Sequence, residues 1–222
     1  MNIAFIPLRS GSKGIKNKNI KEINGKPLCY WTIKACQDSQ VVDRIILAID
    51  SFEYKEIIKS FNLSKVEFYQ RSEKTNQDTS STESVMLEYL EDNKTISNED
   101  YFFLIQATSP LTTSKDIDIA YEQLIKSKKD SLLSCCEHKS FYWDKSGNPL
   151  NYNVFERPRR QDMTGTLQEN GAIYISKVKD ILTSKVRISG NIDVYIMPEY
   201  TSYEIDEEYD FIIIEELLRK YS

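Results

Sequence analysis

Asn2-Ile3-Ala4-Phe5-Ile6-Pro7-Leu8-Arg9-Ser10-Gly11-Ser12-Lys13-Gly14-Ile15-Lys16-Asn17-Lys18-Asn19-Ile20 is the stretch that decides the fold. Ile3 to Ile6 reads as a strand that starts a domain, and it breaks abruptly into a glycine-containing, strongly basic loop. Arg9, Lys13, Lys16, Lys18 and Lys21 crowd positive charge at the carboxyl end of that strand, which is where open α/β sheets bind ligands. Gly11 and Gly14 let the backbone approach phosphate oxygens closely. The pattern implies a polyphosphate ligand; a solvated basic turn is the other reading. Neither the GxxxxGK[ST] spacing of a Walker loop nor the dinucleotide GxGxxG is present.

Outward from this stretch, short β-branched or aromatic runs alternate with longer amphipathic ones, the arrangement of βαβ units on a largely parallel sheet. Strands are expected at Ile3 to Ile6, Arg44 to Ile49, Val66 to Tyr69, Tyr101 to Gln106, Ser131 to Cys135, Ala172 to Ile175 and Ile192 to Met197. Helices are expected from Pro27 to about Gln37, over Phe52 to Phe61, after a Ser81 or Thr82 cap, from Ser114 to about Lys126, and over Glu207 to Tyr221. Lys139 to Gln168 breaks the alternation: it is polar, aromatic and basic, with Gly147-Asn148-Pro149 as a turn and Arg157-Pro158-Arg159-Arg160 as a cationic cluster. Connections of this length are functional or form an arm that packs elsewhere.

At 222 residues the chain is long enough for one well-buried core, and no Gly/Ser/Pro-rich linker divides it. A net charge of -5 argues against general nucleic-acid affinity, so any phosphate site is local. The apolar runs are too short to cross a bilayer, and the stretch after Met1 lacks the basic region and cleavage site of a signal peptide. The cysteines, Cys29, Cys36, Cys135 and Cys136, have no zinc-site spacing and read as reduced thiols of a cytoplasmic protein. The single histidine, His138, makes a Ser-His-Asp hydrolase or a multi-histidine metal enzyme hard to build.

Three further stretches carry chemistry. In Glu204-Ile205-Asp206, carboxylates one residue apart on extended chain point to the same side, which suits Mg2+ completed by substrate phosphates; an acidic first turn with Asp206 as N-cap reads equally well. Leu104-Ile105-Gln106-Ala107-Thr108-Ser109-Pro110-Leu111 is a strand ending in polar side chains at its carboxyl edge, or a plain turn and cap. Asn170 and Tyr174, in Glu169-Asn170-Gly171-Ala172-Ile173-Tyr174-Ile175, offer hydrogen bonds to a polar ligand, or else a turn signal and an ordinary strand residue.

In this order, these blocks make the chain resemble the acylneuraminate cytidylyltransferase family over nearly its whole length. The resemblance is carried by Ile6 to Gly14 with Lys18-Asn19, by Arg71 with Asp78-Thr79-Ser80-Ser81, by Gln106 to Leu111, by Asn170 to Ile175 and by Glu204-Ile205-Asp206. It implies a three-layer, Rossmann-like, mostly parallel nucleotidyltransferase sheet: one domain over 1–222 with a protruding dimerisation arm at about 139–168. The implied activity is CTP-dependent activation of a sialic-acid-like keto sugar to its CMP-sugar with release of pyrophosphate, by a homodimer whose arm reaches into the partner's site. A nucleotidyltransferase using another NTP or sugar, or an inactive nucleotide-binding relative, is the alternative.

By the same resemblance, Leu8, Arg9, Ser12, Lys13, Lys18 and Asn19 meet the phosphates and ribose, with Arg9, Lys13 and Lys18 as the catalytic cations. Arg71, Asp78, Ser80 and Thr82 belong to the cytosine side. Gln106, Thr108, Arg160, Asn170 and Tyr174 match sugar-binding positions, and Glu204 and Asp206 match the paired Mg2+ carboxylates. The chain departs from the family at Leu8 and Ser10, where Ala and Gly are usual, at Glu204, usually Asp, and at Arg187-Ile188-Ser189, where sialic-acid-specific members carry paired aromatics. The last departure favours a legionaminic or pseudaminic acid, or an amino-octulosonate, over N-acetylneuraminate.

Overall fold

The structure, a computed structural model, describes residues 1–11, 14–77 and 79–221. Its strands are β1 (Asn2–Leu8), β2 (Glu22–Ile23), β3 (Lys26–Pro27), β4 (Arg44–Ile49), β5 (Val66–Gln70), β6 (Tyr101–Ile105), β7 (Ser131–His138), β8 (Thr166–Lys177) and β9 (Ile192–Met197). Its helices are α1 (Leu28–Asp38), α2 (Phe52–Lys59), α3 (Thr82–Asp92), α4 (Ser114–Ser127), α5 (Val178–Ser184) and α6 (Glu208–Tyr221). Seven strands form one sheet in the order β5-β4-β1-β6-β8-β7-β9. Only β8 runs antiparallel to its neighbours, so the sheet is mixed and mostly parallel, as expected.

The first strand lies between β4 and β6, and Ile3, Ala4, Phe5 and Ile6 are fully buried, as a parallel strand covered on both faces must be. Alternation divides its side chains between two layers. Ala4, Ile6 and Leu8 join Ile33, Cys36, Tyr54, Ile117 and Leu124 beneath α1, α2 and α4; Ile3 and Phe5 join Val85, Tyr89, Val178 and Ile181 beneath α3 and α5. A third cluster, Ile15, Ile23, Leu28, Leu111, Ile205, Phe211, Ile214 and Leu218, seats α6 against the basic loop and the β2–β3 hairpin. Asn24 and Gly25, with φ of 48° and 74°, make the hairpin's turn, an Asn-Gly signal that the sequence reading passed over.

Helix starts follow local chemistry. Ser81 caps α3 by accepting from the Ser84 N–H at 3.1 Å. Thr113, not Ser114, caps α4 and closes a capping box with Asp116. α5 was not anticipated: it is short, lacks a side-chain cap, and forms because Val178 and Ile181 bury against α3 and the sheet.

Residues 139–165 carry no regular element beyond a Trp143–Pro149 bridge and the 3-10 turns Val154–Glu156 and Arg160–Asp162. Thr166, Leu167 and Gln168, expected in the arm, instead pair with His138, Glu137 and Cys136 as the start of β8. That half of β8 extends past the end of β6 and carries Glu169, Asn170 and Gly171 over the carboxyl edge of the sheet. The β7–β8 register shifts between Leu133 and Cys135; Ser134 Oγ there accepts from the Ile173 N–H at 2.9 Å and donates to Asn170 Oδ1 at 2.6 Å.

Candidate active site

A pocket of about 300 Å3 opens at the carboxyl edge of β1, β5 and β6. Arg9, Lys18, Asn19, Arg71, Ser80, Thr82, Gln106 and Thr108 line it, with Pro7, Ser81, Val85 and Ala107 between them. Groups far apart in the chain therefore meet because parallel strands deliver the loops after β1, β5 and β6 to one edge. Ser12, Lys13 and Asp78 lie outside the described residues.

The basic loop is held from several sides. Its Ser10 N–H donates to both Asp50 carboxylate oxygens, at 3.0 and 3.2 Å. Asn19 is buried and spends its Nδ2 on the Arg9 carbonyl at 3.0 Å, folding the loop back onto its own start. Lys18 follows Asn17, whose φ is 53°, and its Nζ reaches the Ile205 carbonyl at 2.5 Å and Asp206 Oδ1 at 3.1 Å. The Ile205 N–H in turn donates to the Thr108 carbonyl at 3.1 Å, fastening the acidic segment to the loop after β6. A Cβ on Gly14 would stand 2.9 Å from the Asp206 carbonyl, so glycine is what lets the basic loop and the acidic segment press together.

Arg71 is the buried cation of the pocket. One of its terminal nitrogens bonds the Thr75 carbonyl, while Nε, also buried, has no hydrogen-bond partner among the described residues. Burial lowers the pKa of this guanidinium, the Asp50 charge opposes that, and Arg9 adds to it. An unsatisfied buried donor on a pocket wall points to a ligand acceptor.

Glu204 and Asp206 do not line the pocket but stand beside it, Asp206 on the Lys18 ammonium and the Glu204 carboxylate against Gly171. Burial, then the Asp206 charge, pushes the Glu204 carboxyl up to about 7, with Lys18 acting in the opposite direction. A carboxyl whose charge is disfavoured by burial and by a neighbouring carboxylate suits a cation. Among the described residues no three or more His, Cys, Asp or Glu side chains cluster as a metal cage, so Glu204 and Asp206 could hold a cation only with oxygens supplied by a ligand or water. Asp206 is not the helix cap: Asp210 Oδ2 accepts from the Asp206 and Glu207 N–H groups at 2.9 and 2.8 Å, leaving the Asp206 carboxylate to Lys18.

The sugar-side candidates divide. Gln106 and Thr108 line the pocket, whereas Asn170 is 1% exposed and bonded to Ser134, within reach of Thr201. Tyr174 is buried too, its hydroxyl donating to Glu169 and its ring 5.0 Å from the Arg187 guanidinium. Leu8 belongs wholly to the core. Asn170, Tyr174 and Leu8 therefore shape the edge of the sheet from behind it. Arg160 is absent from the pocket; it is exposed, pairs with Glu199 at 3.1 Å and lines a separate groove with Glu137, Lys139 and Met197.

Two site-shaping residues were missed. Asp50 gave no motif, but lies one residue past a strand that neighbours β1. Gly171, with φ +66°, sits where a Cβ would be 2.7 Å from the Glu204 carboxylate; its place after Asn170, inside a strand, was the available signal. Gly171→Ala is expected to cost about 1–2 kcal/mol from the left-handed backbone and, by displacing Glu204, to lower turnover up to about a hundredfold. Urea denaturation beside initial rates checks it, and full activity in the variant would remove Glu204 from the site.

An α/β sheet whose carboxyl edge carries a basic loop beside a carboxylate pair is the class that the fold and site define. The chain belongs to the cytidylyltransferase family, whose model matches residues 3–220. It is 34% identical over 226 residues to N-acylneuraminate cytidylyltransferase A of Danio rerio, covering 98% of this chain and 51% of that protein. Against post-translational flagellin modification protein B of Campylobacter coli the identity is 28% over 230 residues, covering 98% of this chain and 95% of that protein. The chain thus spans about half the length of the N-acylneuraminate cytidylyltransferases it matches, and nearly all of the Campylobacter protein. Its fold is like that of CMP:2-keto-3-deoxy-manno-octonic acid synthetase complexed with CTP, with a TM-score of 0.71 at 16% identity over 99% of this chain and 98% of that one.

Proposed function

We propose that the chain transfers the cytidylyl group of CTP to a sialic-acid-like keto-sugar acid, releasing pyrophosphate. The observation that carries this reading is the convergence of Arg9, Lys18, Asn19, Arg71, Ser80, Thr82, Gln106 and Thr108 on one pocket, with Glu204 and Asp206 beside Lys18. In the reaction an anomeric hydroxyl oxygen bonds to the α-phosphorus of CTP as its proton is given up to solvent, the bond to the bridging oxygen of the β-phosphate breaks, and pyrophosphate departs. Such transfers depend on positioning and charge stabilisation, which arginines and lysines supply without a strong protein nucleophile. Arg9 and Lys18 neutralise the leaving pyrophosphate, with Lys13 as their partner in the same loop. Arg71, its Nε unsatisfied, and the Ser80–Thr82 backbone meet the base. Glu204 and Asp206 hold Mg2+, which when bound supplies a Lewis acid for the phosphate oxygens.

The acceptor proposed is a legionaminic- or pseudaminic-type acid, or an amino-octulosonate, rather than N-acetylneuraminate. Arg187 supports this: instead of an open aromatic surface, the segment presents a guanidinium bonded to Glu83 at 2.6 Å and packed on Tyr174. A panel of nonulosonic and octulosonic acids, assayed with CTP, UTP or GTP and read as released pyrophosphate, tests both halves. Equal rates with all three nucleotides would sink the CTP assignment, and a preference for N-acetylneuraminate the acceptor.

We further propose a cytoplasmic homodimer joined through the 139–165 segment. Phe155 there is 93% exposed and Leu150 65%, outside a small cluster in which the Arg157 guanidinium lies 3.9 Å from the Phe141 ring centroid beside Tyr152. Apolar side chains held out this far mark an interaction surface. Phe155→Asp is expected to shift sedimentation from dimer to monomer; an unchanged dimer would move the interface elsewhere.

A further inference from the structure

The register of the sheet aligns three residues that no motif connects. Leu8 of β1 is level with Ile49 of β4, and Ile49 with Gln70 of β5, so the next residue on each strand forms one row, Arg9, Asp50 and Arg71, at the edge of the pocket. Strand neighbours in such a row are about 4.8 Å apart. Alternation directs all three to the layer beneath α3: Phe5, Ala48 and Tyr69, each an even number of residues earlier on its strand, pack in that layer. Asp50 thus lies between the pocket's arginines, with its carboxylate oxygens on the Ser10 N–H. A negative charge beside a site for a triphosphate repels the ligand, so ligand affinity alone does not account for it.

We infer that Asp50 is a positioning residue: it holds the turn at Ser10 and keeps the Arg9 and Arg71 guanidinium groups in register before nucleotide arrives, so that both meet the ligand without rearrangement. This rests on the proposed reading of the pocket as a nucleoside triphosphate site. The Arg71 backbone shares the arrangement, its N–H donating to the Ile49 carbonyl at 2.9 Å, directly before Asp50. A like-charge pair brought together with no anion between would drift apart, and a fixed carboxylate on the middle strand prevents that at no cost in flexible side chain.

The test is calorimetric binding of CTP and of CMP to the wild type, Asp50→Ala and Asp50→Asn, beside kcat and KM for CTP. Removing a nearby negative charge should by Coulomb's law alone tighten CTP, so the sign of the change separates the two accounts. Expected for Asp50→Ala is CTP binding weakened at least tenfold and CMP binding weakened less, since Arg71 meets the base of both nucleotides whereas Arg9 meets only the pyrophosphate of CTP, and a rise in KM that exceeds the fall in kcat. Asp50→Asn keeps an oxygen for the Ser10 N–H and should stay closer to the wild type; being isosteric, it also decides the matter if Asp50→Ala does not fold. CTP binding that tightens, or CTP and CMP affinities that fall by the same factor in both variants, overturns the inference. Because the readout is binding, a wild type that binds CTP but transfers nothing overturns only the proposed function; one that binds neither nucleotide overturns both.

Discussion

Lys18→Ala is expected to lower kcat by at least about a hundredfold, the cost typical of deleting one fixed donor aimed at developing charge. Among the described residues Lys18 is the cation best placed for this. Its side chain is 13% exposed, it springs from a 3-10 turn pinned by Asn19, and its ammonium already lies between the pocket and the Glu204–Asp206 segment. The charge on a departing pyrophosphate grows as the bond breaks, so the deficit should appear mainly in kcat rather than in KM. Structural loss is separable. The bond to the Ile205 carbonyl is worth about 1–3 kcal/mol, and the pair with the largely exposed Asp206 adds under about 1 kcal/mol, so the variant stays folded at assay temperature. Lys18→Arg is not expected to rescue, because a planar fork does not place a point charge in the same spot. Turnover near wild type in Lys18→Ala, with thermal unfolding recorded on the same sample, would remove the residue from the chemistry.

Much of this site is readable in the chain because its signals are local. Parallel strands followed directly by Arg9, Arg71 and Gln106 must deliver those residues to one edge, whatever the loops do. Strand and helix identities follow from periodicity for the same reason. What escaped was non-local or a matter of depth. Asp50 acquires meaning only when the register sets it between Arg9 and Arg71, and no spacing in the chain carries that register. Asn170 looks polar and available, yet the bulge near Ser134 turns its amide into the core, where hydrogen bonds to Ser134 and contacts with Thr201 satisfy it. Arg160 lies in a segment whose path no periodicity predicts, and it ends beside Glu199 rather than in the pocket. Thr166 to Gln168 read as arm because no apolar alternation marks them, but pairing with β7 supplies what side-chain burial does not.

Asp206→Asn is expected to leave a residual rate, about a hundredfold or more below wild type, that no longer responds to Mg2+. The position combines two readings, a metal carboxylate and a helix-start acid, and the structure separates them by giving the backbone N–H groups to Asp210. Asp206 itself is 77% exposed, with Lys18 as its partner. Its amide variant should therefore unfold within about 0.5 kcal/mol of wild type, the usual range for a surface change. Asp210→Ala should behave in reverse: the helix start loses its acceptor at a cost of about 1 kcal/mol, while the Mg2+ titration keeps its midpoint. Glu204 sharpens the contrast, since its carboxyl is held up near 7 by burial and by the Asp206 charge, a strain that a divalent ion relieves and an amide at 206 relieves only in part. An unchanged Mg2+ titration in Asp206→Asn, or a loss of Mg2+ response in Asp210→Ala equal to it, would show that the acidic segment serves the helix and that the metal is held elsewhere.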